Sequence, residues 1–243
     1  MTPVSRHSGA FLAVKHIMGD KVDFEMCNLM EGAHKTPEFA AINPYTQIPA
    51  FTDTDGTGMG ETAAIILYAA GKYGPEYLQF DKGPNAVWAL EACASYIYNG
   101  GAQPPPRRLS PLLLSPYRRA PCPASGWTDV CYPCFGFIPE PADGFAPHVE
   151  KLNKNIAIFA ETFLKGKFIG GDSLCVADFR LAPLVQSMSH GFVKSKTGFE
   201  MPERFATYLA DFKAACPASA MLSSAGGYSI EEYLTMKEGE AKA

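Results

Sequence analysis

The apolar pattern of this 243-residue chain changes its period once, close to residues 81–84. Before that point, short segments of strand type and helix type follow one another; beyond it, the long apolar patterns have helical spacing. A sheet and its helices bury their apolar faces in one core, whereas a run of helices builds another. The sequence therefore predicts two domains, an α/β domain over residues 1–80 and an all-α domain over residues 85–243.

The α/β domain is predicted to run helix, strand, loop, strand, strand, helix. Its first helix is expected over residues 11–20, and residues 22–29 alternate apolar and polar side chains as a half-buried strand does. Its last helix begins near Glu61 and ends before Gly74 and Pro75, which are typical helix-stop residues. The predicted helices of the second domain span residues 85–99, 148–166, 173–188, 202–216 and 229–239.

One segment of the second domain does not fit a helical pattern. Residues 101–147 hold 11 of the 20 prolines of the chain. Proline at this density is incompatible with helix, so we expect an irregular insertion between two helices. Two origins stay open: a genuine insertion, or non-coding sequence translated as protein.

Composition and charge exclude several classes of protein. A net charge of −4 gives no general attraction to nucleic acid or to an anionic membrane. Apolar runs are too short for a membrane span, and the N-terminus has no uninterrupted apolar stretch of the kind a secretory signal needs. The 7 cysteines are scattered, which is typical of reduced thiols, so we expect a cytoplasmic protein.

The segment NPYTQIPAFTD, residues 43–53, has the apolar content of a strand but carries Pro49 in its middle. Proline lacks the N–H that an interior strand residue donates to its neighbour. Either the segment is not a strand, or its interrupted pairing has a use.

Two stretches of the chain carry a family resemblance: HKTPEFAAINPYTQIPAF with ETAAIILYAAGKYG, and FIGGDSLCVADFRLAPLV in the second domain. They resemble the cytosolic glutathione transferases, and within that family the serine-type classes, particularly the plant phi type. The resemblance implies a thioredoxin-like α/β N-terminal domain followed by an all-α C-terminal domain. It also implies that Pro49 follows a cis peptide bond, so that the backbone of Ile48 pairs with the cysteinyl backbone of glutathione as an added strand would.

The same resemblance implies further glutathione-binding residues. Glu61 and Thr62 open the last helix of the first domain, where free N–H groups and the helix dipole favour the γ-glutamyl carboxylate. His34 and Lys35 match the positions from which phi-like members hold the glycyl carboxylate, and Gln47 adds an amide contact. Simple helix capping is the alternative role for Glu61 and Thr62.

The catalytic group implied by the resemblance is a hydroxyl just before the first helix. A free thiol has a pKa of about 8.5, and a hydroxyl donor at a helix N-terminus stabilises the thiolate. Ser8 occupies this position, with His7 as the alternative if the alignment shifts by one residue, and Ser5 as a more distant one. A plain N-cap is the alternative role for Ser8.

Two departures from the family pattern are visible. The apolar first strand that precedes the catalytic turn is almost absent, and Pro3 is poorly suited to an interior strand. The family's second-domain capping box has Ser or Thr three residues before its aspartate, whereas here Cys175 precedes Asp178. A thiol caps a helix more weakly than a hydroxyl does, so we expect a weaker start to this helix.

Three further motifs are assigned no function. GTGMGE, residues 56–61, lies in a predicted hairpin turn and lacks the spacing of a dinucleotide fingerprint. Cys131 and Cys134 form a C-x-x-C pair, but in the helical domain, away from the first helix where thioredoxin-like folds use such a pair. Adding Cys122 and His148 to this pair does not give a spacing typical of zinc sites, so no metal is expected.

The resemblance implies an enzyme that conjugates glutathione, its co-substrate, to small hydrophobic electrophiles. The electrophile is expected in an apolar cleft beside residues 88–98, and the relatives are homodimers. Two alternatives stay open: a non-catalytic binding or assembly module, as in the N-terminal domain of elongation factor 1 gamma, and a glutathione-dependent peroxidase or isomerase.

Overall fold

The computed structural model describes residues 8–25, 27–29, 31–78, 86–98, 126–136, 138–223 and 239. The first part holds α1 (Ser8–Met18), α2 (Pro37–Ile42), β1 (Ala50–Thr52), β2 (Gly58–Gly60) and α3 (Thr62–Tyr73), with single-turn helices at Gly19–Lys21, Ala33–Lys35 and Pro75–Tyr77. The second holds α4 (Ala86–Ala92), continued as a π-helix (Cys93–Tyr98), then α5 (Trp127–Cys134), α6 (Ala146–Phe163), α7 (Val176–Met188), α8 (Gly191–Thr197) and α9 (Glu203–Ala215). Some predicted features lie outside the described residues: the reduced first strand at residues 1–7, the boundary at 81–84, residues 101–125 and most of the helix at 229–239.

The predicted helices of both domains are confirmed, within a few residues, wherever the structure describes them. Their apolar stripes meet in one continuous core that contains residues of both parts of the chain, for example Leu12, Ile66 and Leu181. No helix in the described ranges combines the length and the apolar character needed to cross a bilayer.

Residues 22–25 and 27–29 do not form the strand that their alternation predicts. Val22 has an extended backbone, with φ −127° and ψ 132°, but no strand of the described chain lies beside it. Phe24 and Leu29 are each 40% exposed, so the apolar side of this segment is poorly covered. Alternation predicts which side chains face a core, and a neighbouring strand is needed before that pattern becomes a sheet.

The prediction that residues 101–147 exclude helix was wrong for α5 (Trp127–Cys134). Seven of the 11 prolines in this segment precede residue 124, and α5 itself contains only Pro133, in its last turn. Pro133 removes one backbone hydrogen bond, and only one residue of α5 follows it. The average composition of the segment therefore concealed a stretch that is able to form a helix.

The β1–β2 hairpin is tied to α3 by a buried carboxylate. Asp53, 6% exposed, accepts hydrogen bonds from the hydroxyls of Tyr68 and Tyr73, both at 2.7 Å, and from Lys72 Nζ at 2.9 Å. Lys72 also reaches Asp55 in the turn, at 2.6 Å. The Lys72 ammonium and the two phenols hold the pKa of Asp53 well below its usual range. This network fixes the hairpin against the helix that follows it.

α1 packs between α3 and α7, and thereby joins the two domains. The contact is close at Gly9, where an added Cβ would lie 2.8 Å from the carbonyl oxygen of Phe179. The Phe179 ring contacts His16 and Tyr77 of the first domain, with centroid distances of 5.3 and 5.8 Å. His16 Nε2 and the Tyr77 hydroxyl are hydrogen bonded at 3.0 Å, and burial lowers the pKa of His16.

Gly9→Ala is therefore expected to destabilise the chain by about 1–3 kcal/mol, because α1 must move away from the α7 backbone. The matched control is Gly71→Ala on the exposed face of α3, where an added Cβ has nothing within 4 Å. That change is expected to stabilise by about 0.5–1 kcal/mol through helix propensity. Urea unfolding of both variants checks the prediction, and an equal effect of the two substitutions would contradict it.

α7 begins with a buried capping interaction. The Asp178 carboxylate accepts hydrogen bonds from the backbone N–H groups of Cys175, at 2.8 Å, and Ile169, at 3.1 Å. Its backbone carbonyl accepts one from the Tyr208 hydroxyl at 3.2 Å. The aspartate thus ties the start of α7 to the loop before it and to α9. The helix then continues through Pro183.

Candidate functional site

The register of the hairpin brings two predicted site segments together. Ala50 pairs with Gly60 in an antiparallel ladder. Ile48 and Pro49 immediately precede this pair and Glu61 follows it, so both segments lie at the same end of the hairpin. The Ile48–Pro49 peptide bond is cis, as predicted. Within the described chain, neither the N–H nor the C=O of Ile48 has a hydrogen-bond partner.

Two non-glycine residues with positive φ lie near this end of the hairpin. Thr46 has φ 50° and Glu61 has φ 67°. Positive φ is uncommon outside glycine, and for a β-branched residue such as threonine it is a true outlier. Strained backbone of this kind concentrates at ligand sites, where the surrounding structure holds it in place.

Asn43 is the residue that holds the Ile48 loop in place. Its Nδ2 donates to the carbonyl of Gln47 at 2.7 Å, and its Oδ1 accepts from the N–H of Tyr45 at 3.2 Å. The side chain lies against Gly60, where an added Cβ would be 2.3 Å from Asn43 Nδ2. Sequence reasoning missed Asn43, Thr46 and Gly60, although the Asn-Pro pair is a known turn signal that pointed to the first of them.

Glu61 and Thr62 are at the N-terminus of α3, as predicted. Glu61 is exposed and occupies the N-cap position, and its carbonyl accepts from the N–H of Ile65 at 3.0 Å. Thr62 is the first helical residue and is 4% exposed. The first-turn N–H groups and the positive end of the α3 dipole favour an anion at this position.

His34 and Lys35 lie in a single-turn helix whose preceding residue, Gly32, has φ 74°. Lys35 is exposed, whereas His34 is partly buried. In the described chain His34 Nδ1 is buried and lacks a hydrogen-bond partner, so this nitrogen is available to a ligand or to water. The turn leads into α2, which packs on both strands of the hairpin.

Ser8 is the first residue of α1 and is 3% exposed. α1 packs along α3, whose first residue is Thr62, so the two helices that carry predicted site hydroxyls are neighbours. The alternatives His7 and Ser5 lie outside the described residues. The role of Ser8 stays a prediction.

The predicted electrophile cleft borders α4 and its π-helical extension. Trp88 and Tyr96 are 56% and 53% exposed, whereas Tyr98 is 3% exposed. The Tyr98 hydroxyl is hydrogen bonded to that of Tyr132 at 2.5 Å, and its ring stacks on Trp127 at 5.4 Å. Tyr98 therefore belongs to the helical core, and the exposed aromatic side chains of this region are Trp88 and Tyr96.

The C-x-x-C pair lies inside the core. Cys131 and Cys134 are 0% and 2% exposed, and Cys134 Sγ donates to the carbonyl of Val130 at 3.3 Å. Burial raises the pKa of Cys134 to about 12 and that of Cys131 well above its usual range. Thiols held in the neutral form are poor nucleophiles and poor metal ligands. His148 is hydrogen bonded to Asp143 at 3.0 Å, and Cys122 lies outside the described residues.

Known glutathione S-transferases are similar to this chain in sequence. The family model described as glutathione S-transferase, N-terminal domain, matches residues 3–77. A glutathione S-transferase of Hyoscyamus muticus is 29% identical over 176 residues, which cover 72% of this chain and 74% of that protein. The chain is similar to the cytosolic glutathione transferases, and the family model covers its N-terminal part. Glutathione S-transferase 3 of Zea mays is also 29% identical, over 68% of this chain and 67% of that protein.

Solved glutathione transferases share the fold. A delta-class enzyme of Nilaparvata lugens superposes with a TM-score of 0.66 at 20% identity, over 98% of this chain and 97% of that one. Glutathione transferase F7 of Populus trichocarpa superposes with a TM-score of 0.56 at 19% identity. The match covers 92% of this chain and 95% of that one. The predicted fold class, a thioredoxin-like α/β domain followed by an all-α domain, is confirmed.

Proposed function

We propose that the chain is a glutathione transferase that conjugates the glutathione thiolate to small hydrophobic electrophiles. One observation carries the proposal: the backbone of Ile48 is open at the same end of the hairpin as the N-terminus of α3. A peptide docked on that backbone would gain strand-like hydrogen bonds, and its carboxylate would meet the positive end of a helix. Similarity to glutathione S-transferases supports glutathione as that peptide.

The binding roles follow the shape of the tripeptide. The cysteinyl backbone pairs with Ile48, whose direction is fixed by Pro49. The γ-glutamyl carboxylate binds at Thr62, and Glu61 organises the ammonium group beside it. The glycyl carboxylate binds near Gln47 and the turn that carries His34 and Lys35. In this orientation the sulfur points toward the helical domain.

His34 and Lys35 are proposed to hold the glycyl carboxylate. The buried, unpaired Nδ1 of His34 and the exposed ammonium of Lys35 supply a hydrogen-bond donor and a charge within one short turn. With the NPYTQIP segment, this pair supports a phi-like class for the enzyme.

The chemistry needs an ionised sulfur. We propose that the Ser8 hydroxyl, at the N-terminus of α1, donates a hydrogen bond to the sulfur and lowers its pKa. The thiol proton goes to solvent. The thiolate then attacks an electrophilic carbon, a C–S bond forms, and the bond to the leaving group breaks, as when chloride leaves 1-chloro-2,4-dinitrobenzene. A role in detoxification in the cytoplasm follows from this chemistry and from the scattered thiols.

A homodimer is proposed as the working state. Tyr45, beside the glutathione edge, is 79% exposed, and Trp88 and Ile158 on the helical domain are 56% and 53% exposed. Large apolar side chains at this exposure are typical of surfaces that a partner covers. A second copy would cover Tyr45 of one chain with the helical domain of the other.

Thr62→Val tests the glutathione site, because it keeps the shape of the side chain and removes the hydroxyl. The KM for glutathione is expected to rise about tenfold, since a hydrogen bond to a charged group contributes about 1.5–3 kcal/mol. The control is Thr52→Val, on the exposed side of β1, which should leave this KM within about twofold. Steady-state kinetics with varied glutathione and 1-chloro-2,4-dinitrobenzene provide the measurement.

Equal KM values in the two variants would contradict the assignment of Thr62. A wild-type protein that binds glutathione but neither conjugates this acceptor nor reduces cumene hydroperoxide would overturn the transferase and favour the non-catalytic module. Reduction of the peroxide without conjugation would favour the glutathione-dependent peroxidase.

A further inference from the structure

One arginine interrupts an otherwise buried helix. Of the 13 residues of α7, 12 are buried and Arg180 is the exception. α7 is surrounded by α1, α3, α4, α5, α8 and α9, so the opening above Arg180 is a gap between packed helices and not a free face. Arg180 is partly exposed through this gap.

This gap lies beside the catalytic end of α1. An added Cβ on Gly9 would lie 3.3 Å from Arg180 Cα, and Gly9 follows Ser8 directly. The guanidinium of arginine extends about 6–7 Å from its Cα, so Arg180 is within reach of the space in front of Ser8. The same close approach that requires glycine at position 9 therefore places Arg180 beside the first turn of α1.

α7, which carries Arg180, also packs against α4 and its π-helical extension. Its charge acts on Cys93, the first residue of the π-helix, where it opposes the burial that raises the pKa of this thiol to about 12. The π-helix Cys93–Tyr98 is the part of the chain predicted to border the electrophile. π-Helical turns are uncommon and occur frequently at functional sites.

The described chain provides no counter-ion for Arg180. No ion pair or hydrogen bond of its guanidinium is formed with any residue of the described ranges. The nearest carboxylate along the helix, Asp178, is already bonded to the N–H groups of Ile169 and Cys175. A partly buried arginine without a partner is costly, and its planar fork of donors matches the two oxygens of a carboxylate.

We propose that Arg180 binds the carboxylate of an acidic electrophile and makes the enzyme selective for acceptors that carry one. This inference rests on the proposed transferase function and names the substrate class for the same site. The carboxylate is held and does not react. In an acceptor such as 4-chloro-3-nitrobenzoate, the thiolate attacks the carbon that bears chlorine, the C–S bond forms, the C–Cl bond breaks, and chloride leaves with the electron pair.

The test compares two acceptors of similar shape and different charge, 4-chloro-3-nitrobenzoate and 4-chloro-3-nitrobenzamide, with each enzymatic rate divided by the rate of the uncatalysed reaction with glutathione. We expect the wild type to favour the benzoate about tenfold in kcat/KM, as a charge-assisted bidentate contact would produce. Arg180→Gln should raise the KM of the benzoate about tenfold and leave that of the amide within about twofold, while Arg180→Lys restores part of the loss. Lys165→Gln, an exposed residue of the same domain, is the charge control.

The outcomes separate this inference from the proposed function. Turnover of the amide without a preference for the benzoate, or equal changes for both acceptors in Arg180→Gln, would overturn the role of Arg180 and leave the transferase standing. A shift of the pH–rate profile with the neutral amide in Arg180→Gln would also overturn it, because Arg180 would then act on the sulfur. No conjugation of either acceptor, or of 1-chloro-2,4-dinitrobenzene, would overturn the proposed function itself.

Discussion

Ser8→Ala is expected to lower kcat/KM for conjugation about 100-fold while the KM for glutathione stays within about twofold. The hydroxyl contributes only once the sulfur is ionised, so its loss raises the pKa of bound glutathione without removing the groups that hold the tripeptide. Activity should return as the pH rises above about 8.5, because the free thiol then ionises unaided. The pH profile of kcat/KM with 1-chloro-2,4-dinitrobenzene checks the result.

The control for this prediction is Ser189→Ala at the far end of α7, where the hydroxyl donates to the carbonyl of Val185 at 2.8 Å. It should leave the pH profile unchanged. If Ser8→Ala costs about 1 kcal/mol of stability but keeps the wild-type profile, Ser8 is only an N-cap. Loss of activity in His7→Ala but not in Ser8→Ala would assign the thiolate to the alternative position.

Asp178→Ala is expected to cost about 3 kcal/mol in the free energy of unfolding. The substitution leaves the N–H groups of Cys175 and Ile169 buried without an acceptor, and each unpaired donor costs about 1–3 kcal/mol. For a domain of this size, the midpoint of thermal unfolding should fall by about 6–12 °C. The control is Asp172→Ala, an exposed aspartate in the loop before α7, expected within about 0.5 kcal/mol of wild type.

Asp178→Ala also tests how the stability of the fold depends on pH. Burial raises the pKa of Asp178 to about 6, above its value of 3.8 in the unfolded chain. Between these values the folded state keeps a proton that the unfolded state releases, so the contribution of Asp178 to stability decreases as the pH rises. The difference in unfolding free energy between wild type and Asp178→Ala should therefore narrow from about pH 4 to about pH 6. A difference that widens over this range would contradict the raised pKa of Asp178.

The sequence was sufficient for the parts of the fold that depend on local patterns. Helix stripes and stop signals predicted α3, α6, α7 and α9, and the proline at position 49 marked the interrupted strand that the cis Ile48–Pro49 bond confirms. Local patterns failed where a partner decides the outcome. The alternation of residues 22–29 predicted a strand, but Phe24 and Leu29 have no neighbouring strand in the described chain to pack against.

In the candidate site, too, some residues could be predicted from local sequence patterns and others could not. Ile48, Glu61 and Thr62 could be predicted because a motif of fixed spacing carries them. The Asn-Pro pair signals a turn at Asn43 but not its contact with Gly60, and the proposed role of Arg180 depends on a gap between packed helices. Residue type alone did not distinguish Arg180 from an ordinary surface arginine.

The most direct test of the central claim is a calorimetric titration of the protein with glutathione at about pH 7, repeated in buffers of different ionisation enthalpy. The site should bind the tripeptide and release between about 0.5 and 1 proton per molecule bound, since ionising a thiol whose free pKa is about 8.5 liberates its proton. Binding with no proton release would contradict sulfur activation, and absence of binding would contradict the glutathione site altogether.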